Sequence, residues 1–172
     1  GLHSNGYTLV RAVLERSGCS LGDAAPFDVE HPSREVDRFP DSSGKASLGE
    51  VILNPTRIYV DPVVDLIMES RGEGGVCPEG SIKAIAHITG GGLSNLLRLH
   101  GSLGWHIGEP LSAQPEFEWI AEIGSVESKE MHRTFNMGMG MVVAVSAAVA
   151  DPVADWLEER LSGSRVVGEV ID

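Results

Sequence analysis

The stretch Ile82-Lys83-Ala84-Ile85-Ala86-His87-Ile88-Thr89-Gly90-Gly91-Gly92, followed by Leu93-Ser94-Asn95-Leu96-Leu97-Arg98-Leu99, sets the organisation of the chain. Its first half alternates in polarity, its middle is three glycines, and its second half carries apolar residues at helical spacing. That pattern predicts strand, tight turn, helix. Glycine tolerates backbone angles other residues resist, and without Cβ atoms a ligand can approach the amides closely. The first amides of a following helix lack intrahelical partners and sit at the positive end of its dipole, an arrangement suited to phosphate. His87 stands just before the turn, where it could serve as acid, base or hydrogen-bond donor. A plain β–α connection with a core histidine fits the same residues equally well.

Working outward, 172 residues are expected to form one domain with a real core. The formal net charge of −12, from 13 Lys and Arg against 25 Asp and Glu, excludes general binding to nucleic-acid backbone or anionic membrane. A small anionic substrate remains open, because one or two local arginines suffice to hold it. No apolar run is long enough for a membrane helix and no signal peptide is visible. Cys19 and Cys77 form no CxxC pair, which fits a reducing, cytoplasmic setting. The chain starts at Gly1 and enters a candidate helix almost at once, so a piece of a longer protein is expected.

Gly1-Leu2-His3-Ser4-Asn5-Gly6 leads to a helix over Tyr7–Ser17, with Ser4 or Asn5 as cap and Gly18 as its end. Residues 19–46 lack apolar periodicity, hold Pro26, Pro32 and Pro40, and suggest a long surface excursion. Its charge run from Glu30 to Arg38 is assigned to solvent. Leu48–Leu53 suggests a short helix. After Pro55-Thr56-Arg57-Ile58-Tyr59-Val60, the pair Asp61-Pro62 predicts a cap and first turn, ended by Gly72. Arg57 is one of few cations near a motif, a candidate anion ligand or a surface ion-pair partner. Leu103–Ile107 suggests a strand, and Pro115 opens a helix to Ile123.

Glu130-Met131-His132-Arg133-Thr134-Phe135-Asn136-Met137-Gly138-Met139-Gly140-Met141 runs into Val142–Val145, expected to be a buried strand. The alternation of Gly138 and Gly140 with methionine suggests a strand with one bare face, with Arg133, Thr134 and Asn136 as polar groups at its mouth. Asp151-Pro152 repeats the cap-plus-proline start, and Arg165–Ile171 alternates as a final strand.

Several chemistries are excluded by spacing. His87, His100, His106 and His132 show neither HExxH nor paired Cys/His spacing, so no metal site is expected. Gly90–Gly92 lacks the third glycine of a dinucleotide fingerprint, and GxSxG is absent. Gly72-Glu73-Gly74-Gly75 lacks the Gly-Lys-Ser/Thr ending of a phosphate loop.

Four stretches, GLHSNGYTLVR at 1–11, PTRIYV at 55–60, HITGGGLSN at 87–95 and EMHRTFNMGMGM at 130–141, resemble in order the second half of the phosphoribosylformylglycinamidine cyclo-ligases, or aminoimidazole ribonucleotide synthetases. The resemblance covers most of the chain and about half of a typical family member. It implies an α+β fold, a layered α/β/α sandwich with a mixed, mainly antiparallel sheet of about four or more strands. It makes residues 1–172 the carboxy-terminal domain, with the amino-terminal ATP-binding and dimerisation domain absent. The implied activity is ATP-dependent closure of the imidazole ring of formylglycinamidine ribonucleotide in purine biosynthesis. ATP and magnesium would be bound mainly by the absent domain, none tightly by this chain, and the complete enzyme would be a homodimer.

Carried over by motif, His3 and His87 match the family's active-site histidines. Ser4, Asn5, Gly6, Thr89, Gly90, Gly91, Gly92, Asn95, Arg133, Thr134 and Asn136 match its substrate- and phosphate-binding positions, with Arg57 added from its own motif. Leu97 departs from the proline of many relatives, and the segments at 24–47 and 72–81 are longer than in compact ones. The alternative is a non-catalytic ligand-binding or regulatory domain of a related two-domain protein, of the selenophosphate synthetase or hydrogenase maturation factor type.

Overall fold

A computed structural model describes residues 1–29 and 46–172. The expected excursion over 19–46 therefore lies partly outside the described residues, as does the charge run from Glu30 to Arg38. In chain order the described elements are helices α1 (Tyr7–Ser17), α2 (Leu48–Ile52) and α3 (Val60–Glu69), strand β1 (Ile82–His87), a 3-10 segment (Gly92–Arg98) and strand β2 (Gly104–Ile107). Helices α4 (Pro115–Gly124) and α5 (Ser128–Thr134), strand β3 (Met141–Val145), a 3-10 turn (Ala147–Val149), helix α6 (Ala150–Glu158) and strand β4 (Gly168–Ile171) follow. They group into two compact units.

The first unit comprises the described residues of Gly1–Arg57, with Thr89–Leu93 and Ser112–Gly140. Its core joins Leu2, Val10, Val13, Leu48, Ile52, Phe117, Trp119, Ile120, Met131 and Phe135. Val10 and Val13 lie on one face of α1, which packs against α4. Residues beside the undescribed segment are tied to α2: Leu48 N–H donates to Asp23 O (2.8 Å) and Ala25 N–H to Ala46 O (2.9 Å). Helix α2 opens with a reciprocal cap. Glu50 N–H donates to Ser47 Oγ (3.2 Å) while Ser47 N–H donates to Glu50 Oε2 (2.7 Å).

The second unit comprises Ile58–Ile88, Ser94–Leu111 and Met141–Asp172. Leu66, Cys77 and Val153 are its buried centre, with Ile82, Val143, Val145 and Trp156 packed around them. β1 pairs antiparallel with β3, His87 opposite Met141, and the register shifts between Ile82 and Ala84. β2 pairs antiparallel with β4. The α+β class and the antiparallel pairing agree with expectation, but the four strands form two separate two-stranded ladders. β4 is exposed at every position and β2 buries none of its residues fully, so no apolar face draws that pair onto the other. β3, expected to be buried, is half-buried along its length and has one neighbouring strand among the described residues.

Local expectations fail in instructive places. Neither Ser4 nor Asn5 caps α1. The cap is Gly6, because Asn5 Nδ2 donates instead to His3 O at 2.7 Å. The Asp-Pro pairs fall inside their helices rather than before them: α3 starts at Val60 and α6 at Ala150. A first-turn proline is tolerated there because the N–H it lacks has no intrahelical acceptor. The segment after the triple glycine is a seven-residue 3-10 helix, not an α-helix. The bare strand expected where Gly138 and Gly140 alternate with methionine is absent: helix α5 runs from Ser128 to Thr134, a turn follows at 137–138, and β3 starts at Met141. Met131 and Phe135, four residues apart, are both buried, and that spacing outweighs the methionine–glycine alternation that follows.

The reciprocal cap gives a direct test. Ser47→Ala is expected to lower unfolding free energy by about 1 kcal/mol in urea denaturation; a change below about 0.2 kcal/mol would show that the cap contributes nothing.

Candidate functional site

Three motif loops meet in the first unit, and the backbone there is strained. His3 and Ser4 have φ of 52° and 59°, and Met137 has 48°. Left-handed angles at non-glycine residues each cost on the order of 1–3 kcal/mol and persist only where surrounding contacts enforce them. Among the described residues the other such position is Ser125, which ends α4.

The enforcing contacts are visible. Leu2, fully buried, holds the first loop, and Asn5 N–H donates back to Leu2 O at 3.1 Å. A Cβ at Gly6 would fall on the Phe135 ring. One at Gly92 would fall on His132 O, with Phe135 O at 2.7 Å. One at Gly90 would lie 3.2 Å from Asn5 Oδ1. The loops at 3–6, 89–92 and 132–138 are thus in mutual contact, and Phe135, fully buried 5.5 Å from the Phe117 ring, lies at their junction.

Asn136 binds the loops by hydrogen bonds. Its Nδ2 donates to Gly1 O (3.0 Å) and its Oδ1 accepts from Gly138 N–H (2.8 Å). With 2% exposure and a hydrogen bond at each end of its amide, it holds the loops in place. Thr134 Oγ1 donates to Glu130 Oε1 (3.2 Å), and the other oxygen of that carboxylate lies 4.0 Å from Arg133 Nη1. Arg133 is 77% exposed, so this pair holds it weakly. Glu130 escaped the sequence analysis. Its spacing to Thr134 carries a signal only once the segment is known to be helical.

The other candidates fall as follows. Ser4 is exposed and Arg57 half-buried, both in the first unit. His87 and Asn95 belong to the second unit. His87 is exposed at the end of β1, its ring centre 5.7 Å from that of Tyr59, which removes the core-histidine interpretation. Asn95 is buried in the 3-10 segment.

The expected dipole pull on an anion at Thr89–Gly92 does not survive. Seven residues of 3-10 helix align few peptide dipoles, and Gly92 N–H already donates to Thr89 O at 2.9 Å. Among the described residues no group of three or more His, Cys, Asp or Glu side chains is arranged to hold a metal ion.

The family model for AIR synthase related protein, C-terminal domain, matches residues 1–172. The chain belongs to this family. It is 35% identical over 172 residues to a phosphoribosylformylglycinamidine cyclo-ligase of Methanosarcina acetivorans, covering all of this chain and 42% of the relative. A Crocosphaera subtropica protein of the same name is 39% identical over 175 residues, with 100% of this chain and 44% of the relative covered. A chloroplastic one of Arabidopsis thaliana is 39% identical over 178 residues, with 100% and 38% covered. The chain thus spans about two-fifths of the length of these relatives.

For this AIR synthase-related domain, loop packing makes position 92 intolerant of any side chain. Gly92→Ala is expected to destabilise the fold by about 1–3 kcal/mol in urea denaturation, because backbone carbonyls must move. Gly101→Ala, into open space, is expected to leave stability within about 0.5 kcal/mol. Equal effects of the two substitutions would contradict the packing.

Proposed function

We propose that this chain is the carboxy-terminal part of an ATP-dependent cyclo-ligase that converts formylglycinamidine ribonucleotide to aminoimidazole ribonucleotide, and that it forms one wall of the substrate cleft. The observation that carries the proposal is the gathering of three motif loops around Phe135, with left-handed backbone at His3, Ser4 and Met137. Strain of this kind collects where a fixed presentation of groups matters more than local stability.

In the proposed reaction the formyl oxygen of the substrate takes a phosphoryl group from ATP, a ring nitrogen attacks the activated carbon, and phosphate leaves. A proton must leave the attacking nitrogen, and charge builds on the transferring oxygens. Of the three histidines in the matched motifs, His132 has its Nδ1 2.8 Å from Ser128 O of its own helix, and His3 and His87, the two singled out by the family resemblance, are assigned to move a proton or donate a hydrogen bond near neutral pH. Arg57 and Arg133 supply positive charge for the substrate's phosphate, in a chain whose net charge is −12. The substrate's weak polar contacts would come from Ser4, Asn5 and the backbone at Thr89–Gly92.

Among the described residues no group of three or more His, Cys, Asp or Glu side chains is arranged to hold magnesium. ATP and its metal are assigned to the part of the relatives that this chain does not span, and dimerisation and a cytoplasmic setting go with that assignment.

Two outcomes follow. The 172-residue chain alone is expected neither to hydrolyse ATP nor to close the ring, and robust ring closure by it would overturn the division of labour. In a full-length enzyme carrying this chain, His87→Ala is expected to lower turnover by about 10²–10⁴-fold. Its exposure predicts little change in melting temperature. Normal turnover by the folded variant would remove His87 from the chemistry.

A further inference from the structure

In the second unit, α3 carries apolar residues well beyond the face it buries. Leu66 is fully buried, and Val63 and Ile67 beside it are half-buried. Successive residues advance by about 100° around a helix, so Val60, Val64 and Met68 form the next row. That row is bare, with exposures of 60%, 48% and 61%, and Ile58, just before the helix, is at 63%. The following row is Asp61, Asp65 and Glu69, all exposed. Single exposed apolar residues are ordinary in folded proteins. Three in one row, with Ile58 exposed just before the helix and an acidic row along one side, form a surface suited to a partner.

Charge and chain length select the occupant. Two copies of the chain meeting on this face would bring two acidic rows together, each on a chain of net charge −12; like charges across an interface are strongly disfavoured. The relatives, by contrast, extend well beyond the two-fifths that this chain spans. We propose that the row Val60, Val64 and Met68 on α3, with Ile58 just before the helix, docks the remainder of the cyclo-ligase, through an apolar ridge flanked by Lys or Arg that face Asp61, Asp65 and Glu69. This rests on the function proposed above.

The test uses hydrogen exchange on two proteins: the 172-residue chain, and a chimaera in which the amino-terminal portion of the Methanosarcina acetivorans relative precedes it. In the chimaera, amides at 63–69 are expected to exchange about tenfold or more slowly than in the chain alone, while those of β1 stay unchanged. Val64→Glu in the chimaera is expected to abolish that slowing. Because Val64 is half exposed, the variant chain alone should melt as the wild type does. Unchanged exchange at 63–69 in the chimaera, or slowing that survives Val64→Glu, would overturn the docking. Slowing at 63–69 that appears in the chain alone as its concentration rises would assign the face to a second copy and overturn it as well. Ring closure by the chimaera reports separately. Activity without slowing rejects the docking alone, and slowing without activity rejects the proposed reaction alone.

Discussion

Phe135 fills the space that side chains at two other positions would need. Its ring lies where a Cβ at Gly6 would fall, and its carbonyl, with that of His132, closes over Gly92. It is fully buried against Phe117 in the core of the first unit. The loop at 89–92 therefore meets the segment at 132–138 backbone to backbone, while the loop at 3–6 meets it where Gly6 lies against the Phe135 ring. Backbone-to-backbone packing leaves little room for adjustment, because carbonyls do not change rotamer. Asn136 adds hydrogen bonds to Gly1 O and Gly138 N–H, which fix the same junction from the other side.

A junction this rigid explains why His3, Ser4 and Met137 hold left-handed angles. The buried contacts of Leu2, Phe135 and Asn136 offset the strain, and His3 and Ser4 are presented in one conformation. For a reaction that needs a phosphoryl acceptor and an attacking nitrogen aligned, fixed presentation is worth more than a strong individual contact. His87 represents the opposite arrangement, an exposed histidine at the end of a strand with a neighbouring tyrosine ring.

Much of the fold was legible because it rests on local rules. The apolar spacing of Tyr7–Ser17, the glycine after it and the proline that opens α4 each acted as periodicity and capping chemistry require. The strand at Ile82–His87 was equally plain from its alternation. What failed depended on contacts distant in sequence. Met137–Gly140 alternates like a strand, but Met131 and Phe135 needed burial on one helical face, and the turn after them followed. The segment after Gly92 was expected to be an α-helix, but its start is fixed against His132 and Phe135 carbonyls, far away in the chain. The candidate residues were legible as motifs and not as roles. Asn136 has the composition of a ligand and also braces the loops, and Glu130 became visible only through helical spacing.

The claim that the three loops form a single substrate surface is tested most directly by titrating formylglycinamidine ribonucleotide into the 172-residue chain and following backbone amide shifts. Binding is expected near the millimolar range, about 4 kcal/mol, since only part of the cleft is supplied. Shifts should concentrate at 3–6, 89–92 and 132–138 and titrate with one common dissociation constant. Shifts confined to one of these segments, or centred elsewhere in the chain, would contradict the account.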